Sequence, residues 1–473
     1  MVKCEQSRTK KRIKEWFIMG KSCHLIVVGF DEIVLNKYLE LIDVAMKEGV
    51  LDGFTIVDLA KERDEIVKRL ARALIQPECT YYLTTPDVLH EKEQLAEFDE
   101  VVQKVRSTHD EIKIYIATEV SYHERYLKYS VENGISCLIE KPVFLPQKDG
   151  KYCPEVMMEK MNYYAKQAEK NNCNVSVMTL GRCHEIYADV VYQMIKEKML
   201  KYDAPLTSFH IKHAGGVWNL HREYLTREDH PYRYGYGMLM HGGYHYVDLL
   251  ARFLLLNKKI FPEKQFEIAF TSYAAYPTDQ NDRIPKPISE RFDDNCPDWW
   301  QNEGKGINWG ETDITSTFCL RDKDTKRVIT LGTIAMEQTT PSVRTWTDFP
   351  ENLYNKNGRV SNLDMEIQLS TLFAASVKCY KIPRDDGKFV EHTPVKPHII
   401  TRANPKLLPD EEYETKVVYP EVYNSTSNKR IMTNWLRDKE NVSTLKDHVP
   451  VMKLMQTIAF SLEKQGESVV ADF

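Results

Sequence analysis

The sequence predicts an α/β protein, with an N-terminal doubly wound parallel sheet followed by an α+β domain on an open, mainly antiparallel sheet. Three observations point there. Short apolar runs alternate with helix-period segments over the first third of the chain. Beyond Leu206 the apolar segments lengthen and alternate with a period of two, as strands with one buried face do. With 473 residues, 42% of them hydrophobic, the chain exceeds one ordinary core.

Residues 24–29 (HLIVVG) form a branched apolar run that stops at a glycine, the pattern of a buried parallel strand. Leu35, Leu39, Ile42 and Ala45 then recur at helical spacing, Gly49 can end that helix, and residues 54–58 (FTIVD) read as the next strand. Strand, helix and strand in this order make a βαβ unit. The alternation continues with a helix near 61–75, a less regular stretch through Pro86, a helix at 91–106, a strand at 112–117, a helix at 123–133 and a strand at 135–139. Pro142 closes the pattern, which bounds a first domain at 23–145 behind a charged extension at 1–22. In the second domain, 146–473, helices at 157–171 and 187–200 flank a strand at 174–180. Strands follow at 207–212, 266–274, 313–320, 327–336 and 365–372, while the polar, proline-rich stretches 276–310 and 382–419 read as long loops.

A net charge of -5 provides no basic footprint for nucleic acid. No run of eighteen apolar residues and no secretory leader is present, so the expectation is a cytoplasmic protein with no membrane partner. Ten scattered cysteines without a CxxC pair suit free thiols in a reducing compartment.

Three local motifs carry the chemistry: residues 116–123 (IATEVSYH), 137–143 (CLIEKPV) and 235–248 (GYGMLMHGGYHYVD). Together they resemble the Gfo/Idh/MocA oxidoreductase family, over most of the chain from about 23 to 470. The resemblance implies an N-terminal Rossmann NAD-binding domain, a C-terminal substrate-binding and oligomerisation domain, a cleft between them, a sugar, amino sugar or cyclitol substrate, and a homo-oligomer. Lys141 stands in the family's Glu-Lys-Pro signature, where the lysine contacts the reacting hydroxyl. Moving a hydride to or from a carbinol carbon requires a proton to join or leave its oxygen, and a partly buried lysine can serve. By itself, Lys141 would read as a surface lysine in a turn set by Pro142.

His245 matches the family's active-site histidine and can share the proton transfer or hold the hydroxyl. Asp248, three residues on, can orient it, pair locally or face the substrate. His241 stands four residues earlier, where many family dehydrogenases carry aspartate. Histidine there still hydrogen-bonds a hydroxyl but removes a negative charge. Arg182 falls where the family often faces its substrate cleft, and Trp218, His221, Tyr234 and Tyr236 can stack on sugar faces or fill the core.

At the cofactor side, Gly29 and Phe30 begin the expected glycine-rich turn, but Asp31 and Val34 replace its second and third glycines. Asp58 ends the second strand, where an acid can accept from the adenosine ribose and so favour NAD over NADP, or can serve as a turn residue. Ala117 and Thr118 occupy the family's Ala-Thr-Pro turn with Glu119 in place of proline, and His123 and Glu140 complete the cofactor-side set. Two rivals remain. His241 and His245 could bind zinc, although the zincin glutamate is replaced by Gly242. The eroded turn fits a non-redox sugar- or partner-binding protein, or an enzyme of redox-assisted elimination.

Overall fold

The computed structural model describes residues 4–6, 23–85, 91–227, 230–292, 309–341, 361–381 and 394–473. The chain divides into two compact units. The first comprises Met1–Leu145, Met161–Thr179 and Asn428–Asp447; the second comprises Pro146–Lys160, Leu180–Ser427 and His448–Phe473. The expected first domain, 23–145, is thus joined by two later segments of the chain.

In the first unit, strands β1 (Cys4–Gln6), β2 (Cys23–Val28), β3 (Gly53–Leu59), β4 (Cys79–Leu83), β5 (Glu111–Ile116) and β6 (Cys137–Glu140) belong to a seven-stranded sheet. The hairpin strands β7 (Gln147–Lys148) and β8 (Lys151–Tyr152) lie in the second unit, and β9 (Val175–Met178) completes the first sheet. The sheet order is β1-β4-β3-β2-β5-β6-β9, parallel throughout except for β1. Counting the parallel strands in chain order gives 3-2-1-4-5-6, the doubly wound arrangement with its switch point between β2 and β5. Every residue of β2 is buried, so both of its faces are covered, which accounts for its apolar run 25–28.

The stretch before Pro86, read as less regular, contains the strand β4. β1, within the supposed extension, adds to its edge in antiparallel register. Cys79 is disulfide-bonded, which corrects the expectation of free thiols throughout; Cys23, Cys137, Cys153, Cys173, Cys183, Cys319 and Cys379 are free. The late segment Asn428–Asp447 is anchored by Trp435, which is fully buried. The Lys113 ammonium, itself buried, donates to the carbonyls of Trp435 at 3.3 Å and Leu436 at 3.0 Å and to the Asp438 carboxylate at 2.7 Å.

The second unit carries a nine-stranded sheet of β10 (Ser208–Ala214), β11 (Phe266–Ala275), β12 (Asp313–Asp322), β13 (Val328–Glu337), β14 (Asn362–Leu369), β15 (Phe373–Lys381), β16 (Val395–Ala403), β17 (Glu414–Val418) and β18 (Val469–Asp472). Its order is β17-β16-β15-β14-β10-β13-β12-β11-β18, and only the β10 and β13 pair is parallel. Burial alternates along β14, β15 and β16, so one face is covered and the other open. β16 and β17 fall within the stretch read as a loop at 382–419, of which 382–393 lies outside the described residues. In the other supposed loop, short helices run over Pro277–Asp279, Gln280–Arg283 and Lys286–Phe292, while 293–308 lies outside the described residues.

Candidate functional site

At the switch point of the parallel sheet the carboxyl ends of β2, β5 and β6 present three turns. Gly29 adopts φ +87°, and a Cβ there would stand 2.7 Å from the Ala117 carbonyl oxygen, so close packing of the first two turns requires glycine. The third turn, Lys141–Pro142, has a cis peptide bond. His123 joins the second and third turns: its Nδ1 is 2.8 Å from the Pro142 carbonyl oxygen and its Nε2 is 3.0 Å from that of Thr118. Both partners are acceptors, so only the charged ring could donate to both. Burial holds the His123 pKa down to about 4, and the neutral ring donates to one carbonyl at a time. Glu119 caps the helix Val120–Glu132, accepting from the Ser121 amide at 2.8 Å, which accounts for an acid where the resembled family has proline. The Tyr115 hydroxyl donates to Glu140 at 2.9 Å; burial raises the Glu140 pKa while this bond and Lys141 lower it.

The residues expected at the cofactor are partly engaged with one another. Asp58 accepts from the Phe30 amide at 2.8 Å and the Leu59 amide at 2.7 Å, and burial raises its pKa. Each carboxylate oxygen has a second lone pair, so ribose hydroxyls can still be accepted. Asp31 accepts from the amides of Ile33 and Val34, both at 2.9 Å, at the start of the helical segment where a dinucleotide's pyrophosphate would seek backbone donors. Arg69 donates to the Phe30 carbonyl at 3.0 Å and Arg72 pairs with Glu32 at 2.6 Å. The Asp31 side chain is half-buried. Gly29, Asp58 and the Ala117–Thr118 turn therefore fit a dinucleotide, whose pyrophosphate would have to take the place of the Asp31 carboxylate.

In the second unit, the Leu180 amide donates to His245 Nδ1 at 3.3 Å, so the neutral imidazole carries its proton on Nε2. Asp248 does not orient this ring. It is fully buried and accepts from Arg182 at Nε (2.9 Å) and at a terminal nitrogen (2.7 Å), which commits the two residues expected at the substrate to each other. His448 Nδ1 lies 3.8 Å from Asp248 but is held neutral by burial and by Arg182, so the contact is not an ion pair. His241 is buried within an aromatic cage, its ring centroid 5.1 Å from that of Tyr232 and 5.4 Å from that of Tyr236.

Trp218 lines a cavity of about 300 Å³ with Asn219, Tyr224, Gln280, Gln338 and Thr339 among its walls. Gln280 donates to the Thr312 hydroxyl at 2.8 Å, and Gln338 contacts the Tyr232 hydroxyl, linking the cavity wall to the ring beside His241. The sequence reading found Trp218 but neither glutamine, because both lie more than sixty residues further along. It also missed Glu311, a buried carboxylate that accepts from the Leu239 amide at 2.8 Å and whose pKa burial pushes up to about 7. The His221 side chain lies outside the described residues. Among the described residues, the group able to hold a metal ion is His24, Asp52 and His109; His241 and His245 form no such group.

The fold is shared with solved oxidoreductases and dehydrogenases, all at low sequence identity. The chain is similar to aldose-aldose oxidoreductase from Caulobacter crescentus, solved with glycerol, at 9% identity and TM-score 0.52 over 95% of this chain and 99% of that one. It is similar to the WlbA dehydrogenase from Bordetella pertussis, solved with NADH and UDP-GlcNAcA, at 13% identity and TM-score 0.51 over 96% and 100%. It is also similar to a myo-inositol dehydrogenase from Corynebacterium glutamicum, at 14% identity and TM-score 0.50 over 95% and 98%. No family model and no curated protein sequence matches it.

Proposed function

We propose that the protein is an oxidoreductase that uses a nicotinamide dinucleotide, NAD in preference to NADP, to interconvert a hydroxyl and a keto group on a sugar, amino sugar or cyclitol. The observation that carries this reading is the cluster of three turns at the switch point, where Gly29 packs on Ala117 and His123 reaches the carbonyls of both Thr118 and Pro142 beside Lys141. Ligands of doubly wound sheets sit outside the carboxyl ends of the strands at this point. The dinucleotide, when bound, supplies or accepts the hydride. Asp58 holds the adenosine ribose, and its charge disfavours a 2′-phosphate. Lys141 gives or takes the proton of the reacting oxygen, and neutral His245 donates from Nε2 to a substrate hydroxyl. Trp218 and Tyr224 provide ring faces, and Asn219, Gln280 and Gln338 provide amides, for an uncharged polyol.

The fold relatives solved with NADH, a sugar nucleotide or glycerol support the same substrate and cofactor class. Asp31 in the phosphate turn favours a second reading, a sugar-binding protein without redox turnover. Titration with NADH and NADPH, followed by a screen of sugars, sugar nucleotides and cyclitols for changes in reduced cofactor, separates the two. Tighter binding of NADH, with turnover of at least one polyol, is expected. Binding of neither nucleotide overturns the oxidoreductase reading.

A further inference from the structure

We infer that His24, Asp52 and His109, supported by Thr55 and Glu78, form a binding site for one divalent transition ion of the zinc class at the amino edge of the parallel sheet in the first unit. This is the edge opposite the carboxyl-end turns, so the inference is independent of the proposed redox function. His24 is the second residue of β2, Asp52 immediately precedes β3, and His109 lies just before β5. His24 Nδ1 is 3.2 Å from one Asp52 carboxylate oxygen and His109 Nδ1 is 2.8 Å from the other, and the three ligand atoms lie within 4.8 Å of one another. Bound zinc takes imidazole nitrogen and carboxylate oxygen at about 2.0–2.2 Å. The two rings face each other at 4.0 Å with a 30° tilt. Closure on an ion therefore requires the three ligand atoms to draw together by side-chain rotation.

The surrounding groups match the outer shell of a metal site. Metal-bound histidine usually directs its second ring nitrogen to an oxygen, which fixes the ring and its tautomer. Here His24 Nε2 meets the Thr55 hydroxyl at 2.9 Å and His109 Nε2 faces the Glu78 carboxylate at 3.8 Å. Both rings thus turn Nδ1 toward the same aspartate and Nε2 toward a separate oxygen. Gly53 provides the room: a Cβ there would lie 2.3 Å from a Glu78 carboxylate oxygen and 3.1 Å from His24 Cε1. Its φ is not in the left-handed region, so space rather than backbone conformation accounts for glycine. Exposure rises from 1% for the His24 side chain to 14% for His109 and 28% for Asp52, which gives an ion an entry path and a coordination position for water. The ion would tie together three segments that are distant in sequence.

The test uses the full chain, stripped with chelator and titrated with zinc chloride by calorimetry, and separately with cobalt(II) followed by visible absorbance. Expected are one strong site per chain, the absorbance of four-coordinate cobalt, and a Tm that rises with zinc and falls back with chelator. His109→Ala and Asp52→Asn, both at accessible positions, should each weaken zinc binding at least tenfold and abolish the cobalt spectrum, with circular dichroism confirming the fold. Thr55→Val should weaken it by about tenfold, the lower end of effects from residues behind metal ligands. Absence of a stoichiometric site, or a site that survives both ligand variants, overturns the inference.

Discussion

Asp248 and Arg182 form a buried ion pair, with two guanidinium nitrogens at 2.9 and 2.7 Å from a single carboxylate oxygen. Removing one member leaves the other charged and out of water, which typically costs 3–5 kcal/mol, about the larger part of a marginal domain's stability. Asp248→Ala and Arg182→Leu should therefore each lower the urea midpoint sharply. The double variant should recover part of the loss, because the orphaned charge is gone. If Arg182→Leu instead left stability unchanged and only raised KM, the arginine would be a substrate contact after all.

Lys141→Met should reduce turnover by about two to four orders of magnitude, the usual scale of proton-transfer assistance. The Kd for NADH should stay within about twofold. Equal loss in both would indicate a binding role rather than a proton relay.

Asp31→Gly removes a carboxylate from the helix amides that a pyrophosphate would use. NADH affinity should rise by about tenfold, roughly 1.4 kcal/mol, within the range for a charge at a helix terminus. The same variant should lose a little stability, since two amides lose their cap. Unchanged affinity would mean that Asp31 already turns aside at no cost.

Trp218→Ala should raise KM for a polyol substrate with little change in kcat, the signature of binding shared by ground and transition states. A fall in kcat alone would place the tryptophan at the reacting centre instead.

Glu311 should leave a mark on stability against pH. Its folded pKa, about 7, lies above the ordinary 4.5, so the folded state holds the proton more tightly. The contribution is complete below about pH 4.5 and is lost as pH rises through 7, a change on the order of 3 kcal/mol. Glu311→Gln, which cannot lose a proton, should flatten that part of the difference curve. His123 should act in the opposite sense, since its pKa falls from 6.5 to about 4 on burial. Its contribution is present above pH 6.5 and lost as pH falls toward 4.

The parallel strands were legible because β2, β3 and β5 are buried over most of their length and read as mainly apolar runs, interrupted by Thr55 in β3 and Lys113 in β5. β17 was not: it is an edge strand whose last three residues are exposed, so no apolar alternation marks it. β16 does alternate, but it lies in a polar, proline-rich stretch that read as loop. The same divide runs through the candidate sites. Gly29 and the turn at Lys141 announce themselves locally, whereas Arg182 meets Asp248 across 66 positions and His109 meets Asp52 across 57. No local pattern encodes such pairs; the strand order of each sheet creates them.

The return of Asn428–Asp447 to the first unit sets a timetable for synthesis. Domains generally fold as they leave the ribosome, N-terminal first, at about 5–20 residues per second. Here the strands through β6 emerge early, but Trp435 and the carbonyls that satisfy the Lys113 ammonium follow roughly 300 residues later, on the order of 15 to 60 seconds at that pace. Throughout that interval the nascent sheet carries a lysine designed for burial and an apolar socket without its tryptophan. A chaperone that shields exposed apolar surface would therefore have its longest engagement with this first unit, and a ribosome stalled before Asn428 would release a first unit that cannot close.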